Sequence, residues 1–452
     1  MTSRRAPVAV VGAGLAGLVA ARELRRRGVP VTVFESGKQI AGLARSFRDG
    51  DGFTYDFGAH FITNRLAAAL GVGAHCRDVR RYGETVQLDG RTYAYPFGLL
   101  RAPRFVLSAV AGRAGAFRRR EPPASAAEWY RTQYGERLAE EVAIPLVEAW
   151  SGAPASELAP SVVPPQVDRG TAHVLRLKLA SRITGRAVAN GYSREMPESP
   201  HVWHVYPEGS VSFLCERLAA DLEGSVRLES PVDAIYVESG RVVGLRAGGR
   251  VEEASAVVST APVHVLAKLV QGTDAVQHLA RFRYRPMVFV NLRFEGRGLL
   301  PDVVTWTPGR DLPFFRLNEP PLAMPWLAPA GKTMVTVDIG CEVGDAIWTM
   351  PDEQLGELCL DHLQALFPTA RRRYLGGCRV LRTPVAYPVW LREYERERLA
   401  LERATPVEGL LSVGRNGEFA HILMEDVYWR TVKRVRELLA PPRAARNERV
   451  AS

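Results

Sequence analysis

Lysine is scarce in this chain of 452 residues. Only Lys38, Lys178, Lys268, Lys332 and Lys433 appear among 59 basic residues, so a net charge of +10 rests on arginine. Arginine spread along the whole length reads as composition more than as one binding face. The runs at 25–27, 118–120 and 371–373 read as solvated helix ends and loops, the alternative being attraction for anionic substrates or membrane surfaces. No interleaving of aromatic and basic residues supports a nucleic-acid partner. Cysteines are few and scattered (Cys76, Cys215, Cys341, Cys359 and Cys378), without a CxxC pair. That excludes a CxxC-type zinc or redox motif and argues against a disulfide framework. No apolar run reaches the ~18–20 residues of a membrane span. The N-terminus lacks the long apolar core and cleavage site of a signal peptide, so the chain reads as cytosolic. No internal repeat stands out. His201 and His204 flank Trp203 without a third ligand at useful spacing, which leaves no metal site.

What is present is apolar material, 46% of residues, enough to fill two or three substructures. The opening reads as strand, glycine turn, helix, strand. Residues 8–11 form a β-branched run fit for burial on both faces. Leu15, Leu18, Val19 and Leu24 recur at helical spacing, Arg25–Arg27 suit a helix C-terminus, and Gly28 is placed to cap it. Residues 31–34 form the second strand, ending at Glu35. Between about 66 and 200, helical stretches such as 126–150 alternate with proline-rich joints at 121–123 and 159–165. Short strands are expected at 204–206, 226–228, 234–237, 242–246 and 256–259, with a helix at 211–222. Alternation over 286–294 and 333–339 indicates a second sheet. A strand at 410–413, a glycine loop and a helix over 424–439 close the fold, before a Pro/Arg/Ala-rich tail expected to be disordered.

Gly12, Gly14 and Gly17 form GxGxxG between the first strand and the first helix, and Glu35 follows at the end of the next strand. Each part has a task in holding a dinucleotide. Gly12 permits the turn, Gly14 admits the pyrophosphate, and Gly17 lets the helix approach the sheet. The helix N-terminus, at Leu15 and Ala16, offers free N–H groups to the phosphates. Glu35, with Ser36 beside it, can accept a ribose 2′-hydroxyl. The fingerprint occurs once, so no separate nicotinamide site is visible.

Downstream come Ala41-Gly42-Leu43-Ala44-Arg45-Ser46 and Asp56-Phe57-Gly58-Ala59-His60-Phe61. Gly414-Arg415-Asn416-Gly417 leads into Met424-Glu425-Asp426 near the other end. With these segments the chain resembles the flavoprotein superfamily of amine oxidases, protoporphyrinogen oxidase and UDP-galactopyranose mutase. Ala41 replaces the first glycine of that family's GG-x-x-R-S motif. The resemblance implies non-covalent FAD. Arg45 would approach its phosphates, Gly58–Phe61 the flavin ring, Val232 the adenine, and Thr260 and Ala261 the phosphates. Gly414, Arg415, Asn416 and Met424 would supply the last cofactor segment. It also implies an α/β fold with a discontinuous Rossmann-like FAD-binding domain (1–65, 203–270 and 381–440). A mainly helical cap (66–202), a mixed-sheet substrate domain (271–380) and the tail (441–452) complete the expected organisation.

The pieces Asp56–His60, Tyr206-Pro207-Glu208-Gly209 and Tyr387-Pro388-Val389 look most like the protoporphyrinogen oxidase and mutase branch. Two activities follow as expectations. One is an FAD-dependent oxidoreductase that takes hydride from a small metabolite of specialised or sugar metabolism and passes electrons to oxygen or another acceptor. The other is a non-redox sugar mutase acting on a nucleotide sugar through reduced flavin N5. His60 is the catalytic candidate, as acid/base or hydrogen-bonding group, against a merely positional role. Arg316 and Tyr387 could hold a diphosphate and a base, and Trp150 and Tyr206 are candidate aromatic walls. Lys332 does not match the lysine motif of amine oxidases.

Overall fold

A computed structural model describes residues 7–58, 60–95, 97–116, 121–163 and 171–440. Ala59, the arginine run 118–120, part of the proline-rich joint 159–165 and the tail 441–452 lie outside the described residues.

The expected βαβ opening seeds a five-stranded parallel sheet, ordered Val226–Arg227, Val31–Phe34, Val8–Val11, Ala256–Ser259, Leu410–Ser412. Val10 sits opposite both Val33 and Val258. Val8–Val11 and Ala256–Ser259 are buried throughout, as strands covered on both faces must be. Helix Leu15–Arg26 packs on this sheet beside helix Met424–Leu439, which brings the two ends of the described chain into one layer. Its Arg22 is buried and caps the carbonyls of Ala69 and Leu70.

A smaller sheet, ordered Arg250–Glu253, Arg241–Ala247, Val232–Glu238, Val270–Gln271, grows from the same region. The second large sheet has seven strands and is mixed. Its order is Tyr374–Pro388, Tyr284–Glu295, Lys332–Gly340, Arg316–Asn318, Val304–Trp306, Glu84–Leu88, Arg91–Ala94. Successive residues on its strands point to opposite faces. Val288, Val290, Leu292, Val335 and Val337 meet helix Asp352–Leu366 through Leu355, Cys359, Leu360 and Leu363. Met287 and Phe289 turn the other way, into the core shared with the dinucleotide half.

Three details depart from the sequence reading. The stretch expected to be mainly helical, 66–202, contributes Glu84–Leu88 and Arg91–Ala94 to the seven-stranded sheet, and Cys76–Asp78 to a small sheet with His204–Pro207 and Ile62–Thr63. The helical run 126–150 is interrupted after Ala126–Tyr134 at Gly135, whose φ of 78° no helix accommodates, and ends in Ile144–Ser151. Strand Tyr374–Pro388 carries the second sheet past the expected boundary at 380.

Candidate functional site

The glycine turn takes its shape from close backbone approaches. A Cβ on Gly12, whose φ is 97°, would stand 2.2 Å from Thr260 Oγ1. One on Gly17 would stand 1.9 Å from the Gly12 carbonyl oxygen. Thr260 is fixed there by donating to the Val11 carbonyl (2.8 Å). Gly14 starts the helix with no side-chain cap, leaving the first-turn N–H groups of Leu15 and Ala16 without a capping side chain. Glu35 folds back over the turn and accepts from Ala13 N–H (2.7 Å) and Gly37 N–H (2.8 Å). This bonding aims the carboxylate beside the Gly12–Gly14 bend, with Ser36 adjoining. The residues before Val232 are tied to the same place, since Ser230 N–H donates to the Glu35 carbonyl (2.8 Å).

Ala41 closes onto this bend: its N–H donates to the Ala13 carbonyl (2.9 Å), and it bridges to Gly14. It adopts φ 84°, the left-handed region that a glycine would fill without strain. Gly42, Leu43 and Ala44 form the short turn that follows, and Gly42 lies against Gly14. Arg45 reaches Gln39 (3.3 Å) and stacks on Phe47, with its Nε buried and unpartnered.

The second glycine turn meets the first. Gly414 follows strand Leu410–Ser412 with φ 85°, and a Cβ there would stand 2.7 Å from that of Ala16. Ala261 N–H donates to Ser259 Oγ (3.2 Å), and Val413 N–H to the Ser259 carbonyl (2.9 Å). Asn416 Oδ1 is buried without a partner. Helix Met424–Leu439 begins without a side-chain cap. Its acids Glu425 and Asp426 turn sideways, to Arg65 (2.6 Å) and Thr63 (3.0 Å), and to Ser193 and the 194–195 backbone. Two uncapped helix starts and the unpartnered Arg45 Nε are donors that a bound diphosphate would satisfy, the crowded glycines leave room for it, and Asn416 Oδ1 is an acceptor open to a donor elsewhere on a nucleotide.

Beyond the turns lies a cluster of aromatic and charged side chains. Gly58, at φ 79°, lets the chain pass Phe289 and Arg316, to which a Cβ would come within 3.2 and 3.4 Å. His60 follows with its Nδ1 unpartnered. Burial, then the charges of Arg415 and Arg316, push its imidazole down to about 4, so it is neutral at pH 7. Phe61 packs edge-on to Tyr82. Arg316 donates to fully buried Asp338 (2.7 Å) and lies over Trp306. Burial works against its charge, but the Asp338 carboxylate more than offsets this and holds the guanidinium protonated. Arg415 contrasts with it. Its Nε donates to the Ile422 carbonyl (3.0 Å) and the guanidinium covers Tyr387, but among the described residues no carboxylate pairs with it. Burial lowers its pKa, and the charge of Arg316 adds to the effect. Trp150 stands edge-on to both Tyr387 and His421.

Four of the five non-cofactor candidates therefore converge: His60, Arg316, Tyr387 and Trp150. Tyr206 does not join them. It is fully buried, donates to Asp56 (2.7 Å) and accepts from Val211 N–H (3.2 Å), which makes it a strut for the 46–56 loop instead of a cavity wall. The sequence reading missed Tyr82, Trp306, Asp338 and His421. Only Asp338 carried a signal, as a lone carboxylate in an apolar strand that needs a buried partner. Arg415 was assigned to the cofactor alone, yet its charge bears on His60 and Arg316.

The sequence profile of the flavin containing amine oxidoreductases matches residues 15–411, and the chain belongs to that family. A curated relative, the flavin-containing monooxygenase FMO GS-OX-like 6 of Arabidopsis thaliana, is 72% identical over 36 residues, which are 8% of each chain. That match spans a small part of the relative's length. A structure of reduced UDP-galactopyranose mutase superposes with a TM-score of 0.76 at 18% identity, covering 96% of this chain and 95% of the other. A protein of Exiguobacterium sp. 255-15 assigned as a protoporphyrinogen oxidase gives 0.74 at 18% identity, over 97% and 99%. At such identity the likeness is one of fold, the FAD-dependent amine oxidase type. The cofactor of the family is FAD, and the crowded turns, the uncapped helix starts and the unpartnered Arg45 Nε fit it.

Proposed function

We propose that this flavoprotein is an FAD-dependent oxidoreductase acting on a small metabolite that carries an anionic group. Bound FAD supplies the hydride acceptor. The chain's own residues orient the substrate and manage its proton. Arg415, half-buried and without a carboxylate partner among the described residues, carries the reading: a partly desolvated, uncompensated charge is costly, and an anionic substrate group between Arg415 and Arg316 would offset that cost. Asp338 keeps Arg316 charged and fixes its direction. Trp150, Tyr387 and Trp306 wall this cluster and exclude water. His60, neutral and with Nδ1 free, is suited to take the proton from a substrate N–H or O–H as the adjoining C–H bond breaks. Lysine has no part in this scheme, since Lys332 starts its strand opposite Glu295, away from Asp338.

A flavin-dependent mutase acting on a nucleotide sugar is the second reading. The same arginines would hold a diphosphate, and the mutase fold likeness favours it. Anaerobic mixing with anionic amines, alcohols and nucleotide sugars separates the two. Substrate that bleaches the flavin absorbance near ~450 nm supports oxidation. Turnover only after chemical reduction of the flavin, with no net redox change, rejects oxidation in favour of the mutase.

A further inference from the structure

The helical region presents an apolar surface that no described element covers. On helix Thr171–Thr184, Val174 and Leu177 face inward, while Leu175, Leu179 and Ile183 are 52%, 57% and 76% exposed. These three recur every fourth residue and share one face. The inner face is fastened: Lys178 donates to the Tyr95 carbonyl (3.2 Å), and Ser181 accepts from Val188 N–H (2.9 Å). Helix Pro103–Ala116 behaves the same way. Its Gly112 is pressed against the Gly135 backbone, where a Cβ would come within 2.8 Å. Leu107 and Val110 on the outer side are 71% and 64% exposed.

The charges on these helices have one sign. Neither helix contains an aspartate or glutamate, and exposed Arg113, Arg176 and Arg182 flank the apolar residues. Nearby acids have partners at the helix starts: Asp89 and Glu141 with Arg104 (2.8 and 3.0 Å), and Glu198 with His173 (2.6 Å). A second copy of the chain would set each face against itself in a two-fold contact, opposing cation to cation with no acid on either helix to answer. An anionic lipid surface answers both features, since acyl chains accept the leucines and headgroups pair with the arginines. No helix among the described residues is long and apolar enough to cross a membrane, so the contact is one of lying on it.

We infer that helices Pro103–Ala116 and Thr171–Thr184 each present a docking surface for an anionic phospholipid bilayer. The test is co-sedimentation of the full-length holoprotein with vesicles of phosphatidylcholine alone, or of phosphatidylcholine mixed with phosphatidylglycerol. Binding is expected only to the mixed vesicles and falls at high salt. Leu175→Ser/Leu179→Ser/Ile183→Ser and, separately, Leu107→Ser/Val110→Ser reduce it at least ~10-fold. Arg113→Gln/Arg176→Gln/Arg182→Gln, which alters only exposed side chains, removes the salt-sensitive part while flavin absorbance and melting temperature stay at the parent values. Wild-type protein that ignores mixed vesicles overturns the inference. So does binding that survives all three variants, or self-association that the serine variants abolish without any lipid binding.

Discussion

The two halves of the site are made of different material. At the glycine turns the work falls to backbone: Gly12, Gly14, Gly17 and Gly414 contribute by having no side chain, and the ligand groups offered are mostly N–H donors at helix starts. In the side-chain cluster beyond them the backbone only delivers side chains. Arg316, Asp338, Tyr387 and Trp306 come from the seven-stranded sheet, Trp150 from the cap, and Arg415 and His421 from the segment after the last parallel strand. A backbone cradle recurs wherever its strand, turn and helix recur, whereas a side-chain cluster changes with each residue in it. The difference explains how one fold serves neighbours as unlike as a mutase and an oxidase.

That contrast can be broken by substitution. Gly17→Val should have the largest effect, because a Cβ 1.9 Å from the Gly12 oxygen cannot be accommodated by a rotamer change. The expected result is protein with at least ~10-fold less bound flavin by absorbance. Gly414→Val, which crowds Ala16, should repeat the loss from the other end of the chain. If either variant retains full flavin, the two turns do not grip one cofactor. Next comes the buried pair. Arg316→Leu strands the Asp338 carboxylate and should cost about 3–5 kcal/mol in denaturant unfolding, much of it recovered in Arg316→Leu/Asp338→Leu. Neither variant should empty the flavin site, so flavin loss in the double variant would erase the distinction between the halves.

Acid sharpens the comparison further. His60 and His204 are both pushed down to about 4 by burial, and His421 well below its ordinary value. These rings stay neutral in the fold but gain a proton in the unfolded chain. Their contribution is therefore complete above pH ~6.5 and is lost as pH falls toward 4, by up to about 3 kcal/mol for a ring shifted that far. Asp56 acts oppositely, because burial raises it to about 6 and favours its protonated form between roughly pH 4 and 6. Melting temperature should fall from pH 7.5 to 5, and His204→Gln should flatten the slope. The smallest effect belongs to Ala41→Gly, which relieves a left-handed alanine and should stabilise the turn by about 1 kcal/mol. A destabilised Ala41→Gly in thermal melts would mean the strain is absent.

Legibility followed the same division. The parallel sheet, the helix over 424–439 and the placement of Glu35 were readable because short-range spacing dictates them. Strands Glu84–Leu88 and Arg91–Ala94 were not, since Arg91–Ala94 is a largely exposed sheet edge with little hydrophobic pattern and Glu84–Leu88 joins the sheet through residues more than 200 positions away. Tyr206 looked like a cavity aromatic until Asp56 was found to hold its hydroxyl. Arg415 stood in view as one arginine among many, and what sets it apart from Arg316 is that no carboxylate among the described residues pairs with it.

Residue order alone pointed to a flavoprotein, to the glycine bends proposed to hold its FAD, and to the carboxylate that lies beside them. Those features are local, and glycine's missing side chain can be read without knowing its neighbours. The polarity of the side-chain cluster was decided only by folding. Strand alternation, chain crossover and burial choose which few of many arginines lose their water and which of those keep a carboxylate at hand.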